Sequence, residues 1–132
     1  MDNENYVGFT GLSCWQKSRI QVKFVFTFTS TWTNYTIRNQ LERATLSIMN
    51  NIAEGYSKKS AKERQRFFDI AMASCSEVES MTYAITYLSI CSKVEGESIR
   101  KSVIEIRKMI YGLSRSLDSA LRAQRLGLSS NH

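Results

Sequence analysis

The sequence predicts an all-α protein, an up-down antiparallel four-helix bundle formed by a single domain. Its 132 residues fit one domain, and 42% of them are hydrophobic, which is enough for a modest core. It contains no proline, the residue that most often interrupts a long helix. Apolar residues recur every three or four positions through two long segments, and long helices joined by short turns favour antiparallel packing.

The first helix allows two interpretations. A start near Cys14 or Trp15 is expected, with Ser13 as the N-cap, because serine accepts hydrogen bonds from the first free backbone N–H groups. Segment 23–32 (KFVFTFTSTW) alternates apolar residues with threonine, a pattern typical of a strand. Apolar residues here also recur four apart, and the three later helices favour a helix that breaks at 29–34.

The second and third helices have clearer signals. The second is expected over 35–54, where apolar residues recur at helical spacing, with Gly55 stopping it. The third is expected to begin after Ser60, which can form a capping box with Glu63, and to end near Cys91.

The fourth helix is expected after a turn at Gly96. It is expected to end at Gly127, because glycine readily adopts the left-handed conformation that terminates many helices. The bundle is therefore predicted to occupy residues 9–125, between flexible tails at 1–8 and 126–132.

The cysteines indicate a reducing compartment. Cys14, Cys75 and Cys91 are odd in number and far apart, which is typical of free thiols. No apolar run reaches the length of a membrane span, and the start of the chain lacks a signal-peptide pattern. These observations predict a cytoplasmic protein with no membrane partner.

Residue types that catalysis and cofactors need are missing or badly spaced. The single histidine, His132, is the last residue, so no nucleophile has a histidine base beside it. Glu77 and Glu79 are two residues apart and should point to different sides of a helix, which does not suit a metal. No glycine-rich phosphate-binding motif occurs. The sequence therefore predicts no enzyme activity, no cofactor and no metal site.

Six polar residues lie in or beside the apolar patterns and need partners, because burying an unpaired charge is costly. Two roles stay open: they fix helix register within one subunit, or some cross between subunits and hold an oligomer. Asn51 is expected to bond the backbone of a neighbouring helix. The set is Arg43, Asn51, Glu54, Arg66, Glu77 and Glu79.

The basic residues suggest an acidic partner. Net charge is +6, and residues 96–132 contain seven basic against three acidic side chains. Such a surface suits nucleic acid, although a solvated face that aids solubility has the same composition. On the fourth helix these residues recur every seven or eight positions, and Tyr111 is the aromatic residue among them. The candidate contacts are Lys58, Lys59, Lys62, Arg64, Arg100, Lys101, Arg107, Lys108 and Arg115.

Three motifs carry a family resemblance: Trp-Gln-Lys at 15–17, Asn-Ile-Ala-Glu-Gly at 51–55 and Arg-Phe at 66–67. With their spacing, the sequence resembles the bacterial four-helix-bundle proteins of the ribosomal-RNA intervening-sequence protein family. It departs from that family at Met49, where proline is usual, and at Glu42, where a basic residue is common.

The resemblance implies a bundle that assembles into a homopentameric ring. It implies no established enzyme activity, and nucleic-acid binding is a recurring suggestion for the family. The first hypothesis is therefore a non-enzymatic, homo-oligomeric binding module that presents basic surfaces to RNA or DNA. The alternative is a protein–protein interaction scaffold with no nucleic-acid role, in which Trp15, Phe26 and Trp32 of the first helix contact a partner protein.

Overall fold

The computed structural model describes residues 8–127, and within that range the chain forms four α-helices and no β-strand. The predicted all-helical class is confirmed. The predicted tails fall mainly on 1–7 and 128–132, which lie outside the described residues. The elements are a short 3-10 helix, Phe9–Gly11, followed by α1 (Ser13–Thr29), α2 (Tyr35–Ser57), α3 (Ala61–Tyr87) and α4 (Lys93–Arg125).

The helices pack as an up-down bundle. Each packs against its neighbours in the chain, and α1 also packs against α4, so that α2 and α4 lie diagonally opposite. Between α2 and α3, and between α3 and α4, residue numbers rise along one helix as they fall along the other, which makes these neighbours antiparallel. The contacts that show this direction are Ser47–Ser74 and Arg43–Glu77 between α2 and α3, and Thr82–Arg100 and Glu79–Arg107 between α3 and α4.

The core is one cluster of mainly aliphatic side chains with two buried cysteines, Cys14 and Cys75, and one buried phenylalanine, Phe68. All four helices contribute to it, at the three- and four-residue spacing that the sequence displays. Its largest fully buried members are Phe68, Leu41, Ile48, Ile52, Ile85, Ile99, Ile106, Ile110, Val25, Val78 and Val103.

Segment 23–29 is helical, which settles the ambiguity at α1. Val25 and Thr29 are buried in this segment, and Ser18 and Gln21 are buried in the preceding part of α1. These four positions are spaced by three and four residues. Burial against the other helices follows that period, and it overrides the strand-like alternation of phenylalanine and threonine. The chain breaks after Thr29, within the predicted interval.

The start of α1 differs from the prediction. Ser13 is the first helical residue, and Leu12 occupies the N-cap position with no side-chain capping bond, so the Ser13 cap was wrong. The 3-10 helix accounts for this, since its last turn places the Leu12 N–H 3.0 Å from the Phe9 carbonyl oxygen and leads directly into α1.

Gly55 does not stop α2; it lies inside the helix, which continues to Ser57. A Cβ at this position would lie 2.7 Å from two carbons of the buried Phe68 ring and 3.2 Å from the Arg64 carbonyl oxygen. Glycine is needed because α3 comes so close to α2, which is a packing requirement that a single sequence does not reveal.

α3 ends at Tyr87, four residues before the predicted Cys91. Ser89 has a positive φ of 57°, and the Ile90 N–H bonds the Ile85 carbonyl oxygen at 2.9 Å. This hydrogen bond and the one from the Ser89 N–H to Thr86 form a Schellman motif, in which serine holds the position that glycine usually takes. At the other end, the Ser60 side chain accepts from the Glu63 N–H as predicted.

α4 begins earlier than expected. Ser92 and Glu95 form a full capping box, so Gly96 lies in the first turns of the helix and does not mark the turn before it. A Cβ on Gly96 would collide with the Thr86 hydroxyl oxygen. The helix ends before Gly127, which has a φ of 72°, as the sequence predicts.

Candidate nucleic-acid interface

The basic residues of α4 divide into two sets. Arg100 and Arg107 point toward α3: the Arg107 guanidinium lies 2.6 Å from a carboxylate oxygen of Glu79, and the Arg100 Nε donates to the Thr82 hydroxyl at 2.9 Å. Both arginines are only half-exposed. Arg107 is largely neutralised by Glu79, so its contribution to a phosphate-binding surface is small.

A second set faces solvent. Lys101, Lys108, Arg115 and Arg122 are exposed and are seven residues apart, so they form one row along the outside of α4. We call these four residues the basic row. At 1.5 Å per residue the row is about 31 Å long, with one cation about every 10 Å.

Acidic side chains interrupt this face. Glu97 lies beside Lys101 in a shallow groove, and Asp118 lies near Arg115 and Arg122. Glu105 pairs instead with Lys17 of α1, 2.8 Å away, and the hydrogen bond and charge of that lysine lower the pKa of Glu105. The face therefore keeps a net positive charge.

One tyrosine contacts the basic row, and another contacts the neighbouring Arg100. Tyr111 of α4 is 54% exposed, and the Arg115 Nη1 donates to its hydroxyl at 3.3 Å. Tyr83 of α3 is 57% exposed, and the Arg100 guanidinium carbon lies 3.7 Å from its ring centroid. Sequence reasoning found Tyr111 but missed Tyr83, because Tyr83 comes to this face only through the antiparallel register of α3 and α4.

The remaining basic candidates lie around the turn between α2 and α3. Lys58 pairs weakly with Glu54 at 3.9 Å, and Arg64 donates to the Lys58 carbonyl oxygen at 3.3 Å. Lys59 and Lys62 are exposed. A hydrogen bond between Gln65 and Ser114 brings the start of α3 beside the last turns of α4. These cations therefore lie at the end of the bundle where the basic row ends.

The polar set predicted for assembly forms separate contacts. Glu77 pairs with Arg43 of α2 at 3.8 Å, whereas Glu79 pairs with Arg107 of α4. The two carboxylates thus leave opposite sides of α3, in the directions their spacing predicts. Both ion pairs join neighbouring helices of one chain.

The predictions for three of the six polar residues, Asn51, Glu54 and Arg66, were wrong. The Asn51 side-chain amide donates to the Ser47 carbonyl oxygen of its own helix at 2.8 Å, not to a neighbouring helix. Glu54 and Arg66 are exposed rather than partly buried, and the Arg66 guanidinium carbon lies 4.9 Å from the Phe67 ring centroid.

The thiols are protected. Burial raises the pKa of Cys75 to about 12 and also raises the pKa of Cys14 and Cys91. A thiol that stays protonated is a poor nucleophile and a poor metal ligand. Over residues 8–127, no cluster of three His, Cys, Asp or Glu side chains could hold a metal ion, and no helix there is long and apolar enough to cross a membrane.

The outer face of α1 differs from the predicted contact. Trp15 and Trp32 are half-buried, with their rings packed on Phe9 and Phe28. Phe26 is exposed, but the most exposed apolar residues of α1 are Ile20 at 70% and Phe24 at 44%. An apolar patch therefore exists on α1, centred on residues that sequence reasoning did not name for it.

A family profile and a solved structure are similar to this chain. The profile of the family described as 23S rRNA-intervening sequence protein matches residues 10–112. No curated protein is similar enough to count as a match. A solved structure from Bacteroides thetaiotaomicron VPI-5482, titled as a protein with unknown function from the S23 ribosomal protein family, has a TM-score of 0.72. The similarity covers 76% of this chain and 97% of that chain at 19% identity, and it establishes the common fold.

Proposed function

The chain belongs to the 23S rRNA-intervening sequence protein family, and we propose that it is a non-enzymatic, homo-oligomeric bundle that binds RNA through α4. The observation that carries the proposal is the basic row, Lys101, Lys108, Arg115 and Arg122, exposed along about 31 Å of a rigid helix. A rigid row of cations suits the regularly spaced phosphates of a nucleic acid.

The proposal predicts a salt dependence. Each phosphate neutralised on a single strand contributes about −0.7 to the slope of log affinity against log salt, so four contacts give about −3 per subunit. Fluorescence anisotropy with labelled RNA at increasing salt measures this slope. Affinity absent at low salt, or unaffected by salt, contradicts the proposal.

Charge-neutral variants localise the site. Lys101→Gln and Lys108→Gln should each weaken binding and reduce the slope by about 0.7. Lys23→Gln is the matched control, because Lys23 is also exposed but lies on α1. An equal loss from the control would move the site away from α4.

Self-association is the second part of the proposal. A patch including Ile20 and Phe24 is available on α1, and Arg66 on α3 is accessible to a second copy. Light scattering measures the solution mass of the native chain, of Arg66→Ala and of Glu77→Ala. These masses test self-association. A monomeric mass for the native chain contradicts it.

The three free thiols suit the reducing, cytoplasmic compartment that we propose for the chain.

An interaction scaffold with no RNA role is the alternative, and the apolar patch on α1 favours it. Replacing Ile20 and Phe24 by glutamine should abolish partner binding or self-association while leaving the fold intact, since both residues are exposed. The scaffold replaces the RNA proposal if the native chain shows no salt-dependent RNA affinity and these two replacements remove a protein contact.

A further inference from the structure

Two tyrosine–arginine pairs lie near the basic row: Tyr83 pairs with Arg100, which lines the same groove as Lys101 and Lys108, and Tyr111 pairs with Arg115 of the row. In the first, the Arg100 guanidinium carbon lies 3.7 Å from the Tyr83 ring centroid; in the second, the Arg115 guanidinium carbon lies 5.7 Å from that of Tyr111. Each tyrosine remains more than half exposed, although an arginine contacts its ring. A solvent-exposed aromatic ring beside a fixed cation can stack on a base while the cation binds the adjacent phosphate.

Both arginines are held in place. The Arg100 Nε donates to the Thr82 hydroxyl at 2.9 Å, and the Arg115 Nη1 donates to the Tyr111 hydroxyl at 3.3 Å. Fixing the guanidinium before a ligand arrives lowers the entropy lost on binding.

Resting on the RNA-binding function proposed above, we infer that the surface around the basic row binds single-stranded RNA, with bases stacked on Tyr83 and Tyr111. A duplex already stacks its bases inside the helix and presents phosphates and sugar hydroxyls, so exposed tyrosines have little to contact there. Unpaired bases can be splayed onto aromatic rings, and stacking of this kind tolerates any base. The basic row binds the phosphates of the same strand.

The spacing sets the length of the strand. Arg100 and Tyr111 are 11 residues apart on α4, which places the two stacking positions about 16 Å apart along the helix. Ile104 lies between them and lines a shallow groove with Lys101 and Lys108, so the surface between the tyrosines offers an apolar contact. At about 3.4 Å per stacked nucleotide, the basic row spans about nine nucleotides.

The test measures binding of the full chain to a labelled, unstructured RNA of about twelve nucleotides, and to the same RNA annealed to its complement, at about 50 mM salt. The variants are Tyr83→Leu and Tyr111→Leu, with Tyr83→Phe and Tyr111→Phe as conservative replacements that keep the ring. Tyr35→Leu is the matched control, since Tyr35 is 64% exposed at the start of the diagonally opposite helix α2. Circular dichroism confirms that each variant is folded.

The inference predicts tighter binding to the single strand than to the duplex. Each leucine variant should weaken single-strand binding by roughly 5- to 140-fold, the range that loss of one stacked base produces, while the phenylalanine variants and the control retain it. Equal affinity for both RNAs with neutral tyrosine variants would overturn this inference and leave the RNA-binding function standing. No affinity for either RNA would overturn the proposed function as well.

Discussion

Replacing Gly55 by alanine tests the close packing of α2 against α3. In an unobstructed helix interior this change stabilises by up to about 1 kcal/mol, because glycine has the greater backbone freedom to lose on folding. Here the new Cβ would lie 2.7 Å from two ring carbons of Phe68, which is fully buried and has little room to move. Overpacking of this kind costs about 1–3 kcal/mol.

The clash therefore outweighs the propensity gain, and we expect Gly55→Ala to lower the free energy of unfolding by about 1 kcal/mol. A chain of this size should lose about 3–5 °C in Tm for that change. Gly112→Ala is the matched control in α4, where a Cβ would meet no atom within 4 Å, so the same replacement should stabilise. Urea denaturation of the three proteins measures both signs. If Gly55→Ala stabilises as much as Gly112→Ala, the described approach of α2 to α3 is wrong.

Three further predictions concern a cap, an ion pair and a thiol. Ser92→Ala removes half of the capping box of α4 and should cost about 1 kcal/mol of unfolding free energy in urea denaturation, whereas exposed Ser98→Ala in the same helix should cost far less. Glu79→Ala and Arg107→Ala should each lower the free energy of unfolding by about 1 kcal/mol. The double variant should lose less than the sum of the two, because each single variant already removes the same half-exposed ion pair. Strict additivity would refute the coupling. Burial raises the pKa of Cys75 to about 12, so stability from this thiol is complete below the ordinary value of 9.0 and is lost as pH rises toward the raised value. Cys75→Ala should therefore show a smaller fall in unfolding free energy between pH 8 and pH 10.5 than the native chain, and an identical fall would contradict the burial.

Much of the fold follows from local pattern. The positions buried in α4, from Ile99 to Ile110, are those of its three- and four-residue repeat, and the left-handed glycine at 127 ends it. Failures concern contacts between distant segments. Gly55 looked like a helix stop and Gly96 like the turn before α4, but each lies within a helix at a place where a side chain of another helix leaves no room for a Cβ.

The candidate site was only half predictable. Seven-residue spacing alone places Lys101, Lys108 and Arg115 on one side of a helix, and the structure agrees with that placement. The spacing cannot show that Arg107 pairs with Glu79, nor that Tyr83 of α3 contacts Arg100. Both contacts depend on how far one helix is displaced along the next. Packing decides that displacement, and packing depends on the whole core.

One measurement tests directly whether the basic row of α4 binds RNA. RNA affinity should be determined against salt for the native chain and for the double variant Lys101→Gln/Lys108→Gln. We expect a slope near −3 for each RNA-bound subunit of the native protein and a slope shallower by about 1.4 per subunit for the double variant, since each subunit loses two phosphate contacts. Identical slopes, or no RNA affinity in the native chain at low salt, would contradict RNA binding by the basic row.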